Sequence, residues 1–423
     1  MSQLSATDSP PASLWRNRAF LRLWIAQVVS NAGTKVTGLA LPLTAVLVLH
    51  ATPGQMALLI VAGQIPNFLF GLFAGVWVDR TRRRPILVST DLGRAILLGS
   101  IPAAAVLGHL TFVQLWVVGF ATASLTVFFQ LASIAVLPSL VAKERLMEAN
   151  SKLSISDSVL SVTVPGMAGG LIQLLSAPKA IIVDAVSYVL SALSLGSIGA
   201  AEPRPKRAEG RQSIWVEIGE GVRELQRTPV LRALTTFLAV GAVGWAVQST
   251  VLLLFLVRQL GFTPAVLGLV GACDGVAALL AALSARRLSS HIGIGPTIIL
   301  GSFLGTVADV LLPLAAFIPA HLPLIIAGKM LAGIGVVFTT VPSVSLRQAV
   351  TPTELLGRVT AARRFLIFST GLAGSAPGGF LGGTIGLGSA LFVTAAISLV
   401  STLVVLLSRV RHVRELSTVA TSV

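Results

Sequence analysis

Long apolar segments recur along the whole chain and are separated by short polar segments. A helix needs about 20 apolar residues to cross a bilayer, and twelve segments reach that length. The pattern predicts spans at 20–48, 56–78, 86–108, 112–138, 153–175, 178–199, 232–257, 264–284, 295–317, 322–342, 363–383 and 387–408. Because lipid offers the backbone no hydrogen-bond partner, each span must be helical. The sequence therefore predicts an all-α integral membrane protein with twelve transmembrane helices, surrounded by the lipid bilayer.

The basic residues fall almost entirely on one side of these spans. Of the 31 lysines and arginines, 26 lie on the same side as both ends of the chain and two lie on the other side. Positive residues collect in cytoplasmic loops, so both termini are predicted to be cytoplasmic. A net charge of +15 with this distribution indicates membrane topology and not nucleic-acid binding. The first residues lack a charged stretch followed by an apolar one, so no cleaved signal peptide is expected.

The composition excludes several other classes of protein. Only 11% of the residues are charged, whereas soluble domains carry about 25%. The single cysteine, Cys273, cannot form an intrachain disulfide, and the five histidines are scattered without the spacing of a metal site. The sequence also contains no catalytic Ser/His/Asp constellation and no phosphate-binding glycine loop. We therefore expect no enzyme, no cofactor and no metal, with an ion gradient as the energy source.

The two halves of the chain resemble each other. Pro53 and Pro264 stand in similar segments 211 residues apart, and Pro165 and Pro377 stand in similar segments 212 residues apart. The repeat predicts two pseudo-symmetric six-helix bundles at 15–200 and 230–408, with a substrate path between them. Tails at 1–14 and 409–423 are expected to be cytoplasmic. The linker 201–229 is charged, and its second part places Ile214, Ile218, Val222 and Leu225 on one face of a surface-lying amphipathic helix.

The segment GVWVDRTRRR, between the second and third spans, resembles the G-x-x-x-D-R-x-G-R-R/K loop of the major facilitator superfamily. The matching residues are Gly75, Asp79, Arg80, Arg83 and Arg84. Arg82 replaces a usual glycine, and the corresponding segment of the second half, LSARRLSSHIGIG, lacks the aspartate. The resemblance covers nearly the whole chain. It implies the major facilitator fold, in which two bundles rock about a central cavity.

Within this motif, glycine and aspartate suggest a gate. Gly75 allows close helix packing, and Asp79 can face the positive N-terminal end of the eleventh span. That contact would close the cytoplasmic entrance as a two-state latch. Alternatively, the arginines only set the topology. Asp91 and Arg94, spaced i and i+3 in the third span, are expected to pair and support the gate.

Three segments are similar to one branch of the superfamily, which holds enterobactin exporters and macrolide efflux pumps. They are TPTELLGRVTAARRFL, LPSLVAKERLMEAN and DAVSYVLSAL. VPGMAGGLI also resembles the antiporter motif G-P-x-x-x-G of the fifth span through Pro165, Gly169 and Gly170, with Val164 in place of the first glycine. The fourth span has no arginine, so the proton relay of another drug/proton branch does not carry over. The resemblance implies antiport, antibiotic resistance and a bacterial plasma (inner) membrane.

Several polar residues lie inside the predicted spans, where ionisable groups are costly and usually line a pathway. Gln27, Asn31 and Lys35 are four residues apart and form one stripe on a helix. In the superfamily the first, fourth, seventh and tenth helices line the cavity, so these three residues are expected there with Gln248 and Lys329. Alternatively, Lys35 forms a buried ion pair with a carboxylate of another helix.

Four aspartates within the spans are candidates for proton binding. Asp274 and Asp157 are expected to couple transport to protons, because Asp274 lies near mid-span and Asp157 about one turn into its span. Asp184 and Asp309 are further candidates, and Asp184 is interpreted as a hydrogen-bonding partner of neighbouring helices.

The sequence therefore predicts a secondary transporter that exports small amphipathic organic compounds of the drug, macrolide or siderophore type in exchange for protons. The protein is expected to act as a monomer. Lysines in the cavity would favour neutral or anionic solutes. Two alternatives remain at this point, a proton-coupled uptake symporter for a small organic solute and a non-transport membrane scaffold.

Overall fold

The computed structural model describes residues 14–71, 73–199 and 214–415. The predicted tail 1–14, the first part of the predicted linker and the end of the tail 409–423 therefore fall largely outside the described residues. The described residues form fourteen α-helices. They are α1 Arg18–Leu47, α2 Pro53–Phe70, α3 Phe73–Arg80, α4 Arg83–Val106, α5 Phe112–Leu140, α6 Leu146–Leu175, α7 Ala177–Gly196, α8 Ile214–Arg227, α9 Pro229–Leu254, α10 Pro264–Ile292, α11 Ile294–Leu314, α12 His321–Val350, α13 Leu356–Thr384 and α14 Leu387–Leu406.

Ten helices are long and apolar enough to cross a membrane, namely α4 to α7 and α9 to α14. They match the third to twelfth predicted spans. The first predicted span is a 30-residue helix, α1, which is long enough at about 45 Å but carries the polar stripe. The second predicted span is divided into α2 and α3, with Gly71 at the end of α2. A Cβ atom at Gly71 would lie 2.3 Å from the carbonyl oxygen of Asn67, so a side chain at this position would require the end of α2 to shift.

The internal repeat is visible in how matching helices begin. Thr52 caps α2 by accepting a hydrogen bond from the Gln55 N–H, and Pro53 follows at the first helical position. Thr263 caps α10 in the same way, and Pro264 follows it. A threonine cap satisfies an N–H that the helix leaves free, and proline tolerates this position because its own N–H is missing. The same Thr-Pro pair therefore starts equivalent helices in both halves.

Helices α1 to α7 form one bundle and α9 to α14 form the other, and the bundles meet chiefly through α6 with α10 and through α2 with α13. Helix α8 packs on α13 and α9 and buries Ile218 and Leu225. Gly221 of α8 lies directly against the Arg358 carbonyl of α13. We call the end of the molecule that carries Arg18, Arg80, Arg145, Arg363 and Arg409 the basic end.

The buried core is shared by both bundles only at the end opposite the basic end. There Leu43 and Ala51 belong to the same apolar cluster as Leu254 and Phe255, and Arg258 donates a hydrogen bond of 2.8 Å to the Ala51 carbonyl. At the basic end each bundle has a core of its own. The bundles therefore join at one end and part toward the basic end.

Helices α6 and α10 touch through glycines. A Cβ atom on Gly169 would lie 2.5 Å from the Pro264 carbonyl oxygen and 2.7 Å from the Cα atom of Gly268. Further along, a Cβ atom on Gly275 would lie 2.8 Å from the Ser161 carbonyl oxygen. We call this contact, formed by Gly169, Gly268 and Gly275, the glycine seam. Small residues let two helix backbones approach this closely inside a membrane.

We predict that Gly169→Ala destabilises the protein, because the added methyl group would clash with backbone atoms of α10, which cannot move aside as a flexible side chain could. An overpacked contact of this kind costs about 1–3 kcal/mol, and thermal unfolding in detergent would show a lower Tm. Gly170→Ala is the matched control, since a Cβ atom on Gly170 meets nothing within 4 Å. Equal Tm values for the two variants would contradict the seam.

Candidate functional site

A cavity of about 660 Å³ lies between the bundles. Its wall is largely apolar, with residues such as Leu39, Met56 and Leu59 from the first bundle. Trp245, Ser249 and Leu253 of α9 close it from the second bundle. Besides Ser249, the polar residues in its wall are Thr34, Thr37, Gln64, Asn67, Thr122, Thr126, Gln130, Asp184 and Tyr188. The cavity thus combines a largely apolar surface with hydrogen-bonding groups.

Asp184 of α7 is the ionisable carboxylate in this wall. Its residue surface is fully buried, and its Oδ1 atom accepts a hydrogen bond of 3.1 Å from the Ser187 hydroxyl. Neither its Oδ2 atom nor the Thr37 hydroxyl makes a hydrogen bond of good geometry in the described part of the chain, although the Thr37 side chain lies close enough to interact with Asp184. One turn further on, the Tyr188 hydroxyl lies 2.9 Å from the Thr34 hydroxyl. The sequence indicates hydrogen bonds between Asp184 and neighbouring helices, but it does not indicate that Asp184 lies in the cavity wall. The i, i+4 spacing of Asp184 and Tyr188 was the available signal.

A second cavity, of about 430 Å³, lies within the second bundle. Gln248 of α9 lines it and donates a 2.5 Å hydrogen bond to Asp309 Oδ1. Ser398 donates a hydrogen bond to the other oxygen of Asp309. Trp245, which is 53% exposed, lines both cavities. Of the five predicted cavity residues, Gln248 is the one found in the wall of these two cavities.

Both lysines predicted to line the cavity form ion pairs, and neither lines the two cavities described above. Lys35 Nζ lies 3.2 Å from Asp157 Oδ1 and donates a hydrogen bond of 2.9 Å to the Ser161 hydroxyl. Lys329 Nζ lies 3.8 Å from Asp274 Oδ2. Lys35 thus pairs with a carboxylate of another helix, but the Asp157 side chain is 53% exposed, so this pair is not buried. A place for either lysine along the substrate path stays a prediction. The other two residues of the polar stripe on α1 are Gln27 and Asn31. Gln27 donates a hydrogen bond to Ser133 of α5, and Asn31 is half-buried.

The two ion pairs flank the glycine seam. Ser161, which binds Lys35, is the residue whose carbonyl lies against Gly275. Asp274 precedes Gly275 and lies against Gly333 of α12, the helix that carries Lys329. One pair therefore links α1 to α6 and the other links α10 to α12, on either side of the contact between the bundles. The predicted coupling carboxylates Asp157 and Asp274 both lie at this contact.

The arginines of the predicted gate lie at helix ends. Arg84 donates hydrogen bonds to the carbonyl oxygens of Leu195, at 3.1 Å, and of Gly196. These are the last carbonyls of α7, which a helix leaves without partners. Arg80 ends α3 and is exposed, and Arg83 begins α4. The surroundings of Gly75 and of the Asp79 side chain lie outside what the structure describes. The latch between Asp79 and α13 therefore stays a prediction.

Asp91 and Arg94 lie in a buried cluster within the first bundle. Arg94 is 2% exposed and forms an ion pair with Asp91. Its guanidinium carbon lies 4.4 Å and 4.1 Å from the ring centroids of Phe129 and Tyr188, a cation–π arrangement. Asp91 also accepts a 2.6 Å hydrogen bond from Ser191. The pair therefore joins α4 to α5 and α7 behind the cavity wall that Tyr188 forms.

The residues of the antiporter-like motif differ in their surroundings. Pro165 lies inside α6, and its carbonyl oxygen would be 2.6 Å from a Cβ atom on Gly268. Gly169 faces α10 at the seam, whereas Gly170 faces open space. Within the described residues no group of three or more His, Cys, Asp or Glu side chains could hold a metal ion.

Comparison with proteins of known sequence gives relatives along the whole chain. The chain is 26% identical to the uncharacterized MFS-type transporter YfiS of Bacillus subtilis (strain 168), over 94% of each chain. It is also 26% identical to the multidrug efflux pump Tap of Mycolicibacterium fortuitum, over 93% of this chain and 96% of Tap.

Solved structures show the same fold at low identity. A bacterial homologue of the iron transporter ferroportin in its inward-facing state gives a TM-score of 0.71 at 18% identity, covering 92% of this chain and 98% of the homologue. Its outward-facing state gives a TM-score of 0.58 over the same shares. The nucleoside transporter NupG gives 0.69 at 13% identity, over 92% of this chain and 98% of NupG.

The family model described as Major Facilitator Superfamily matches residues 23–255 and 238–422. The first matched segment covers the first bundle, α8 and α9, the second begins within α9 and covers the rest of the second bundle, and together they cover nearly the whole chain. Both the repeat and the fold agree with this match. The chain is a multi-pass membrane transporter that belongs to the Major Facilitator Superfamily.

Proposed function

We propose that this transporter exports small amphipathic organic compounds in exchange for protons. The observation that carries the proposal is the cavity between the bundles. Its volume of about 660 Å³ falls within the range of about 300–1,000 Å³ typical of pockets for drug-sized molecules. A mostly apolar wall with a few polar groups would bind molecules by their apolar surface and tolerate differences in shape.

The direction of transport is supported by the likeness to Tap, a multidrug efflux pump that aligns along nearly its full length. At under 20% identity, the structural likeness to NupG and to the ferroportin homologue concerns the fold alone. Efflux is therefore the proposed direction, and uptake is the alternative that the experiment below separates from it.

The proposed topology has twelve spans, with α1 and the pair α2–α3 completing the ten apolar helices, in a bacterial plasma membrane. The basic end would face the cytoplasm, because positive residues collect on that side, and both termini would lie there. Since the bundles part toward the basic end, the described conformation would be open to the cytoplasm. A compound could then enter the cavity from inside the cell.

The charges around the cavity favour neutral or weakly basic compounds. A preference for neutral or anionic solutes rested on unpaired lysines, but Lys35 and Lys329 each contact an aspartate. Asp184, in the cavity wall, instead has an oxygen that makes no hydrogen bond of good geometry within the described residues. A protonated amine would supply the partner that this buried carboxylate lacks, and a charged hydrogen bond of this kind is worth about 1.5–3 kcal/mol.

Proton coupling is proposed to act through Asp157 and Asp274. Each carboxylate is paired with a lysine beside the glycine seam, where the two bundles move against each other. A proton on either carboxylate would remove its negative charge and weaken that pair. The balance between the two orientations of the bundles would then depend on proton binding.

We predict that Gly63→Leu abolishes efflux while the protein still folds. Gly63 lines the cavity, and a Cβ atom there meets nothing within 4 Å, so leucine would extend into the empty space. In a pump-deficient host, the wild type should raise resistance to some members of a panel of macrolides, other amphipathic antibiotics and siderophores, and Gly63→Leu should not.

Gly99→Leu is the matched control, because Gly99 also has free space around it but lies outside the cavity lining. Resistance retained in Gly63→Leu would contradict the proposed cavity. Increased accumulation of a labelled compound in expressing cells would identify an uptake transporter. No change with any compound, combined with a partner retained in pull-downs, would indicate a scaffold.

We predict that Asp157→Asn and Asp274→Asn each uncouple transport from protons, because asparagine cannot gain or lose the proton. Proton flux on addition of an exported compound would be measured in inverted membrane vesicles. Glu148→Gln is the control, since Glu148 lies at the start of the same helix, α6, and pairs with Arg145 at the surface. Proton-driven transport that is unchanged in both aspartate variants would rule out this assignment.

A further inference from the structure

A separate pocket of about 480 Å³ lies at the basic end, between the last turns of α12 and the first turns of α13. Arg347 and Gln348 line it from α12. From α13 it is lined by Leu356, Gly357, Thr360, Ala361 and Arg364. Positions 357, 360, 361 and 364 are spaced as one face of a helix. The opposite face of α13 packs on α8, where Arg358 pairs with Glu220. The pocket is therefore lined by one face of α13 together with the end of α12.

Arg347 brings a buried, unpartnered cation to this pocket. The residue is only 8% exposed, and its Nε and Nη1 atoms have no hydrogen-bond partner in the part of the chain that the structure describes. No ion pair between described residues includes it. A buried charge without a partner is unfavourable unless something else neutralises it. The described part of the chain therefore supplies no anionic partner to Arg347.

Two neighbouring arginines add to the positive charge. Arg364 lines the pocket, and Arg363 lies within electrostatic range of both Arg347 and Arg364. The Nε atom of Arg363 also has no hydrogen-bond partner in the described residues. Three guanidinium groups thus lie together, although like charges repel. An anion bound among them would attract all three groups and offset the repulsion between them.

The start of α13 adds backbone donors. Its N-cap residue, Leu355, makes no capping hydrogen bond with its side chain, and the first helical bond runs from the Val359 N–H to the Leu355 carbonyl at 2.8 Å. The N–H groups of the first turn therefore remain available, and they carry the positive end of the helix dipole. A Cβ atom at Gly357 would meet nothing within 4 Å, so a ligand can approach this backbone.

From this geometry we propose that the pocket binds a phosphate group. Guanidinium groups donate paired hydrogen bonds that match phosphate oxygens, and helix N-termini bind the same anion. The volume exceeds that of a phosphate ion, which leaves room for the rest of a phosphorylated molecule. The phosphate can come from a phospholipid head group or from free phosphate in solution.

Phosphate bound here would influence the gate. The start of α13 is also the predicted partner of Asp79, so a phosphate would compete with the latch carboxylate for the same positive helix end. Occupancy of the pocket would then favour the conformation that is open at the basic end. This consequence rests on the proposed latch, whereas phosphate binding itself does not.

The test uses the full-length protein purified in neutral detergent. Inorganic phosphate is titrated by calorimetry, and retention of phosphatidylglycerol against phosphatidylcholine is measured by native mass spectrometry. Arg347→Gln should weaken binding by about ten-fold or more, which corresponds to the loss of one charged hydrogen bond. Arg287→Gln is the control, because Arg287 is an exposed arginine near the same end and should bind as the wild type does.

Two variants distinguish a loss of phosphate binding from misfolding. Arg347→Gln removes an unpaired buried charge, so its Tm without phosphate should not fall. Gly357→Asp places a carboxylate at the helix end, so it should keep the fold and lose phosphate binding.

Saturable binding of inorganic phosphate that Arg347→Gln weakens would support a site for the free anion. Selective retention of phosphatidylglycerol that the same substitution abolishes would support a head-group site. Absence of both, or binding that Arg347→Gln and Gly357→Asp leave unchanged, would overturn the proposal.

Discussion

The arrangement of the two bundles depends on a direct backbone contact between α6 and α10. Between helices in lipid there is little hydrophobic driving force, so close van der Waals packing decides where they associate. The glycine seam supplies that packing, because Gly169 and Gly268 leave no side chain between the two helices. The shared core lies at one end of the seam and the parted bundles at the other. The cavity between the bundles is lined by other helices, namely α1, α2, α4, α5, α7 and α9.

Charged residues that are shielded from water fall into two groups in this protein. Lys35, Lys329 and Arg94 each contact an aspartate; the two lysine pairs connect different helices, whereas the pair of Arg94 with Asp91 lies within α4. Asp184 and Arg347 each keep a polar atom without a partner in the described residues, and each lines a pocket. Since an unpaired buried group is costly, the second group is where a ligand has most to contribute. The proposed substrate and phosphate sites follow from this difference.

Much of the fold could be predicted from the order of apolar and polar residues. The Thr-Pro pairs at 52–53 and 263–264 begin equivalent helices, as expected from a repeat, and ten of the twelve predicted spans are apolar helices of sufficient length. Side-chain partners were harder to predict, because they depend on which helices face each other. Nothing local in the sequence links Lys35 to Asp157 or Lys329 to Asp274. Adjacent glycines at 169 and 170 also look alike in the sequence, although only the first touches α10.

Trp245 forms part of the wall of both the cavity between the bundles and the cavity within the second bundle. A single indole ring therefore stands where these two spaces adjoin. Rotation of the ring about its side-chain bonds would change the shape of both spaces without any helix having to move. The upper limit on substrate size would then be set by a rotamer change, which takes place within nanoseconds for exposed side chains. Adaptability of this kind would let one rigid scaffold accommodate molecules of quite different bulk.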